Sequence, residues 1–369
     1  MVTNSDYKHN GAWSTDLILT VISMCASGTL VIVSMKIQGT TYDFKHSMSQ
    51  TFLMFVGEYL NLIFFVAPLI CSPASRNTHF QDLISTAIAT NQNLHGTKMW
   101  AALPSLLDSL SSNLQIASLL LLPASIAQML HGGQIISTCI FAKIINRSHI
   151  HRHHMAGVVV STLGFAFVGL SGYLDAQSDV SGKYNPGGFL MGVGFIFVNL
   201  TLVGVQVNLD ERIITKNAIT PQRMVGLEGL FGIIWMIGSI SILSYIRCPD
   251  DQLCDRKSYT EDVTAALTQI FNSSGLTFWC LMTVISMAAY NFTAMRATQL
   301  VSAIFRIFWS TMVTVLVWIV CLLVGYERFN ALPFTIQFIG FSLLVLGNVT
   351  YNGFIKLACF DLDSTKMDK

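Results

Sequence analysis

The sequence predicts an all-α integral membrane protein of ten transmembrane helices, arranged as two inverted five-helix repeats. Three observations predict it. Apolar residues make up 52% of the 369, charged residues only 11%, and the mean hydropathy is +0.57, where a soluble chain carries about 25% charged residues. Ten apolar stretches recur, each near the ~20 residues that a helix needs to cross a hydrocarbon core of about 30 Å. A faint echo links the halves: Gly157 and Gly164 are seven apart in the fifth stretch, as are Gly340 and Gly347 in the tenth. Seven-spaced glycines share a helix face and admit a close neighbour. Five spans per repeat is an odd number, so the second copy is inverted in the membrane.

The first span, Thr15–Met35, is too long for a signal-peptide core and lacks a small-residue cleavage pattern, so it is expected to be retained. The first half continues with Ser47–Cys71, Met99–Leu122, Ala124–Ile145 and Met155–Leu174. The second half supplies Gly188–Leu209, Met224–Ile246, Leu276–Thr298, Val301–Val324 and Pro333–Ile355. Two joints are tight, at Leu122–Pro123 and at Arg296–Leu300. They remain breaks because about 45 continuous apolar residues are too many for one span. The expected organisation is a cytosolic N-terminus (1–14), a first repeat (15–175), a second repeat (176–356) and a cytosolic tail (357–369).

With both termini cytosolic, twelve loop Lys/Arg fall on the cytosolic side and seven opposite, which follows the positive-inside bias. The noncytosolic loop after span seven then carries Asp250, Asp251, Asp255, Glu261 and Asp262. Cys248 and Cys254 share that loop and form a candidate disulfide in an oxidising lumen. The same loop contains the sequon Asn272-Ser273-Ser274, close to the eighth span. Cys25, Cys139, Cys280 and Cys321 lie in spans, where a small buried apolar residue is the plain reading.

Lone charges inside the apolar runs direct the search for function. A charge at mid-membrane costs about 2.5–3.5 kcal/mol on insertion scales, so it faces the protein interior and marks a pathway. These are Glu58, Asp108, His131, Glu228 and Arg306. Span two reads Met54-Phe55-Val56-Gly57-Glu58-Tyr59, and span three reads Pro104-Ser105-Leu106-Leu107-Asp108, then Asn113 and Gln115. Span four carries Gln128-Met129-Leu130-His131-Gly132-Gly133, with Gln128 and His131 on one face. Asn199, Gln206 and Asp210 share a face at spacings of seven and four. Gly226-Leu227-Glu228-Gly229-Leu230-Phe231-Gly232 opens span seven, and Asn291-Phe292 and Arg306 follow in spans eight and nine.

This set resembles the drug/metabolite transporter superfamily (EamA-like), and most closely the F branch of the solute carrier 35 family, which is nucleotide-sugar-transporter-like. The resemblance runs over nearly the whole chain. It rests most on Gly57-Glu58, on Pro104 to Asp108 with Gln128-Met129-Leu130, and on Gly226 to Gly232. It implies a transporter of an endomembrane, lysosome/vacuole or Golgi, working by alternating access. Nucleotide-sugar exchange is the alternative that it carries. One departure stands out: the family pattern places an arginine before the glycine that follows Gln-Met-Leu, and here the residue is His131, an imidazole in place of a fixed charge. The related chloroquine-resistance transporter has a lumenal cysteine-bearing loop similar in position to that of Cys248 and Cys254.

The residues expected to bind substrate or line its pathway are Glu58, Asp108, Asn113, Gln128, His131, Asn199, Gln206, Glu228, Asn291 and Arg306. Each also suits a structural role alone, as an ion pair or as interhelical glue for Asn199 and Gln206, but together they call for a polar cavity. Glu58 and Glu228 have no basic neighbour in their own spans and are the candidates to carry protons. Asp108 is expected to meet His131 across the tight turn. His149, His151, His153 and His154 lack any Cys or carboxylate in the same loop and read as a solvated loop, so no metal is expected. No cofactor and no nucleic-acid partner is expected either. The expected partners are the bilayer, a small solute and protons. A catalytic domain has no room, since the longest polar stretches, Cys71–Lys98 and Arg247–Ser274, fall short of about 50 residues. The rival classes are a membrane enzyme, which lacks a visible nucleophile or metal constellation, and a non-transporting structural or partner-binding protein. The second rival would tolerate neutral replacement of the buried charges.

Overall fold

Local capping chemistry starts several of the helices. In the computed structural model, which describes residues 14–44, 46–71, 98–148, 150–178, 186–217, 219–243, 262–324 and 331–351, the Ser14 hydroxyl accepts from the Leu17 amide at 3.2 Å and opens α1 (Thr15–Thr41). Next come α2 (Ser47–Cys71), a 3₁₀ turn at Lys98–Ala101, and α3 (Ala102–Leu121). Two short helices follow, α4 (Ala124–His131) and α5 (Gln134–Ile145), then α6 (Arg152–Ser178). Prolines at the first position open α7 (Pro186–Lys216) and α8 (Pro221–Leu243), where the missing amide costs nothing. The chain ends through α9 (Val263–Asn272), α10 (Ser274–Leu300), α11 (Ala303–Val324) and α12 (Ala331–Tyr351). Every element among the described residues is helical, as expected of an all-α membrane protein.

Eight of these helices are long and apolar enough to cross a membrane: α1, α2, α6, α7, α8, α10, α11 and α12. Their outward faces carry exposed Ile18, Leu19 and Ile22 on α1, Phe197 on α7 and Leu281 and Ile285 on α10, the pattern of helices solvated by lipid. The third expected span is α3, which spends much of its length on Asp108, Asn113, Gln115 and serines. The fourth, expected as one span over Ala124–Ile145, is broken into α4 and α5. Tandem Gly132-Gly133 ends α4, with amides that reach back only three residues, to the carbonyls of Met129 and Leu130 at 2.9 Å each. The Asn348 amide takes up the Gly132 carbonyl at 3.3 Å, so the broken backbone is satisfied by a neighbouring helix.

Several details differ from the sequence reading. Helix α10 runs through Arg296 to Leu300, and the joint falls at Val301-Ser302, where Ser302 Oγ caps α11 by accepting from Phe305 N at 3.2 Å. Helix α7 continues past Leu209 to Lys216. Helix α9 forms within the stretch read as a polar loop, capped by Asp262 Oδ1 on Ala265 N at 3.0 Å. It docks through Ala266 and Ile270 onto Phe44, Leu276 and Cys280. Cys248, Cys254, His149, most of 1–14 and the tail 357–369 lie outside the described residues.

Helix α6 lies along α12, α1 along α10, α3 along α7, and α2 along α8. The glycines of the two echoing motifs sit in the α6–α12 seam. A Cβ on Gly164 would stand 2.6 Å from the Gly340 carbonyl, and one on Gly157 would stand 2.7 Å from that of Gly347. Gly164→Leu is therefore expected to destabilise the protein by about 1–3 kcal/mol through overpacking. Gly169→Leu on the same helix, where a Cβ meets nothing within 4 Å, should leave thermal unfolding in detergent nearly unchanged.

Candidate binding and coupling site

Glycine places the acidic residues against each other. A Cβ on Gly229 of α8 would stand 2.7 Å from the Glu58 backbone carbon, and one on Gly57 of α2 would meet the Val284 carbonyl of α10 at 2.5 Å. With only hydrogen at both positions, α2, α8 and α10 close up, and Glu58, Glu228 and Asn291 reach one region. Asn291 Nδ2 donates to Glu58 Oε1 at 2.5 Å. Glu58 is 2% exposed and Glu228 5% exposed, and Ser105 Oγ of α3 donates to the Glu228 backbone carbonyl at 2.7 Å.

Helices α3, α7 and α11 complete the cluster. Asp108 accepts from Ser112 Oγ at 3.4 Å and from the Gln206 side chain. Arg306, on the first turn of α11, holds Asp210 of α7 at 3.3 Å, with Asp210 fully buried. The Asp210 and Glu228 carboxyls are in hydrogen-bonding contact. Glu58, Asp108 and Asp210 lie within the field of one guanidinium, Arg306, and Glu228 lies within that of the other three carboxyls. Among the described residues, Glu58 Oε2, Asp210 Oδ1 and Glu228 Oε1 meet no donor. Orphaned oxygens at this depth are costly unless protons or a ligand satisfy them.

Six of the ten expected residues meet here: Glu58, Asp108, Gln206, Glu228, Asn291 and Arg306. Asn199 faces α3 and donates to the Ser111 carbonyl at 2.7 Å, a bond between helices, and its Oδ1 lacks a donor among the described residues. Asn113 directs its amide at Met236 Sδ of α8 at 3.6 Å, and its Oδ1 has no partner among the described residues. Gln128 is buried on α4, and His131 ends that helix beside the glycine break, with Nε2 unpartnered among the described residues. The expected Asp108–His131 contact is not formed: Asp108 is capped by Ser112 and Gln206, and the cation near it is Arg306. His151 stacks on His153, His154 meets both rings edge-on, and His154 stacks on Tyr351.

No family model matches the chain. Solute carrier family 35 member F6 of Homo sapiens is 27% identical over 313 residues, covering 85% of this chain and 79% of the relative. The protein of that name from Rattus norvegicus is 26% identical over 321 residues, covering 86% and 81%. The chain is similar to members of the solute carrier 35 family, on its F branch. An uncharacterized protein of Schizosaccharomyces pombe is 27% identical over 259 residues, covering 70% of this chain and 75% of the other. One solved crystal structure superposes with a TM-score of 0.51 at 10% identity, covering 91% of this chain and 96% of that one, which shows a shared fold alone.

Similarity to solute carrier 35 proteins points to a membrane transporter rather than an enzyme. Asp210, absent from the expected site residues, joins Arg306 to Glu228. Its signal was present in the seven-and-four spacing with Asn199 and Gln206.

Proposed function

We propose that the protein is a secondary active transporter that moves a small polar organic solute across an endomembrane by alternating access, coupled to protons. The observation that carries this reading is the buried cluster of four carboxyls and one guanidinium between helices of the two halves. Glu58 and Asp108 come from residues 15–175, and Asp210, Glu228, Asn291 and Arg306 come from 176–356. A purely structural cluster would balance its charges, whereas one cation among four carboxyls leaves capacity for protons or a solute cation.

Ten spans in two inverted repeats fit this reading, with α4 and α5 together forming the broken fourth span. The packing supports it because the helix pairs keep their pattern when the halves are exchanged. The first helix of each half lies on the third of the other, as α1 on α10 and α7 on α3. The second helices, α2 and α8, pair with each other, as do the fifth, α6 and α12. A site near the midplane between such halves, with a discontinuous helix beside it, suits rocking around a central solute. The cytosolic placement of both termini and a lysosomal, vacuolar or Golgi membrane belong to the same proposal. Nucleotide-sugar exchange gains no support from the site, because Arg306 is already paired with Asp210 and the surrounding carboxyls would repel a diphosphate. A solute carrying a protonated amine suits the cluster.

Accessibility tests the mechanism. In a cysteine-free background, Gln206→Cys places a thiol at a position now 4% exposed. A membrane-impermeant thiol reagent is expected to reach it from the cytosolic face in one condition and from the lumenal face in another, as pH gradient and solute shift the conformer. Reaction from one face under every condition would sink alternating access around this cluster.

A further inference from the structure

The contact between Asp210 and Glu228 has a chemical requirement of its own. An ionised carboxylate offers only acceptors, so two carboxyls hold each other only when a proton lies between them. Like charges this close do not both ionise, and their titration belongs to the pair. Asp210 is fully buried and Glu228 5% exposed. The oxygens Asp210 Oδ1 and Glu228 Oε1 receive no hydrogen bond from a protein donor among the described residues. The charged groups that face the pair are Glu58 from α2, Asp108 from α3 and Arg306 from α11. Helix α10 contributes the neutral Asn291, which is engaged with Glu58.

We propose that Asp210 and Glu228 hold one proton between them, and that this pair, with Arg306 as its movable counterion, is the proton-loading element of the transporter. Its part in transport rests on the functional reading above; the shared proton does not. When the pair takes a second proton from one aqueous side, Asp210 becomes neutral and no longer retains Arg306. The guanidinium then turns toward Asp108, the carboxyl already within its field. When that proton leaves to the other side, the charge on Asp210 draws Arg306 back. Arg306 sits on α11 in the second half and Asp108 on α3 in the first, so loading and unloading change an attraction between the two halves. Asp210 is a positioning residue here: it acts through Glu228 and Arg306.

Infrared spectroscopy of the full-length protein in lipid bilayers, in water and deuterium oxide, reads the shared proton directly. The wild type is expected to show a protonated-carboxyl carbonyl band at neutral pH. Asp210→Asn and Glu228→Gln should each remove the same band, because one proton serves both residues. The introduced amide donates in place of the proton, so the helix contact is kept, and thermal unfolding on the same samples checks the fold. Loss of two different bands, or of none, overturns the proposal. A second measurement uses the wild type alone: dicyclohexylcarbodiimide, which modifies protonated carboxyls in apolar surroundings, should label Asp210 or Glu228 by peptide mass spectrometry. Labelling at neither residue likewise overturns it. A retained band in a protein that transports nothing would remove the transporter reading and leave the shared proton standing.

Discussion

Arg306→Met is expected to destabilise the folded protein by about 3–5 kcal/mol, the range for removing one partner of a buried ion pair. Asp210 is fully buried, and its Oδ2 is held by Arg306 at 3.3 Å while Oδ1 has no donor among the described residues. Methionine matches much of the length and bulk of the arginine stem, so the loss comes from charge rather than from a cavity. The double variant Arg306→Met/Asp210→Asn should recover most of the stability, since it strands no uncompensated carboxylate. Thermal unfolding of the single and double variants in detergent measures both. Equal destabilisation in the two would mean that the pair is not what holds α11 to α7.

The second large effect concerns coupling. Glu58→Gln and Glu228→Gln each replace a buried carboxyl with an amide of the same shape, one that cannot bind and release a proton. The folded protein should survive both changes. The amide introduced at position 58 can still accept from Asn291, and the one introduced at position 228 can donate to Asp210. The acceleration of uptake by an imposed pH gradient is expected to disappear, at least a tenfold loss of the gradient-dependent component. Asp108→Asn should instead weaken folding or binding at every pH, because Asp108 is an acceptor for Ser112 and Gln206 and lies within the field of Arg306. Full gradient dependence in both glutamine variants would show that protons travel elsewhere.

Much of this site was legible because lone charges in apolar runs carry a heavy penalty. Glu58, Asp108, Glu228 and Arg306 announced themselves this way, and the structure gathers all four. Asp210 did not, because it falls one residue past the expected end of its span at Leu209 and so did not count as a charge inside an apolar run. In the folded chain α7 runs on, and Asp210 and Glu211 turn inward, with Glu211 accepting from Asn146 at 2.8 Å. The partner of Asp108 was misread for a related reason. Proximity in sequence suggested His131 across one turn, but the helix that delivers the cation, α11, lies about two hundred residues downstream, and no periodicity reports which distant helix faces a given carboxylate. The break in the fourth span was visible only as Gly132-Gly133 within an apolar run; glycine pairs also occur in continuous membrane helices, and what fixes the break is Asn348 from α12. Helix α9 was obscured by the acidic stretch before it.

Uptake into proteoliposomes holding the purified wild-type protein tests the central claim most directly. A panel of amino acids, short peptides, organic amines and nucleotide sugars is offered with and without a pH gradient. At least one solute bearing a protonated amine should accumulate above protein-free vesicles, faster when the gradient is imposed and without preference for the nucleotide sugars. No accumulation of any solute by folded protein, or accumulation of nucleotide sugars alone and indifferent to the gradient, would contradict the account.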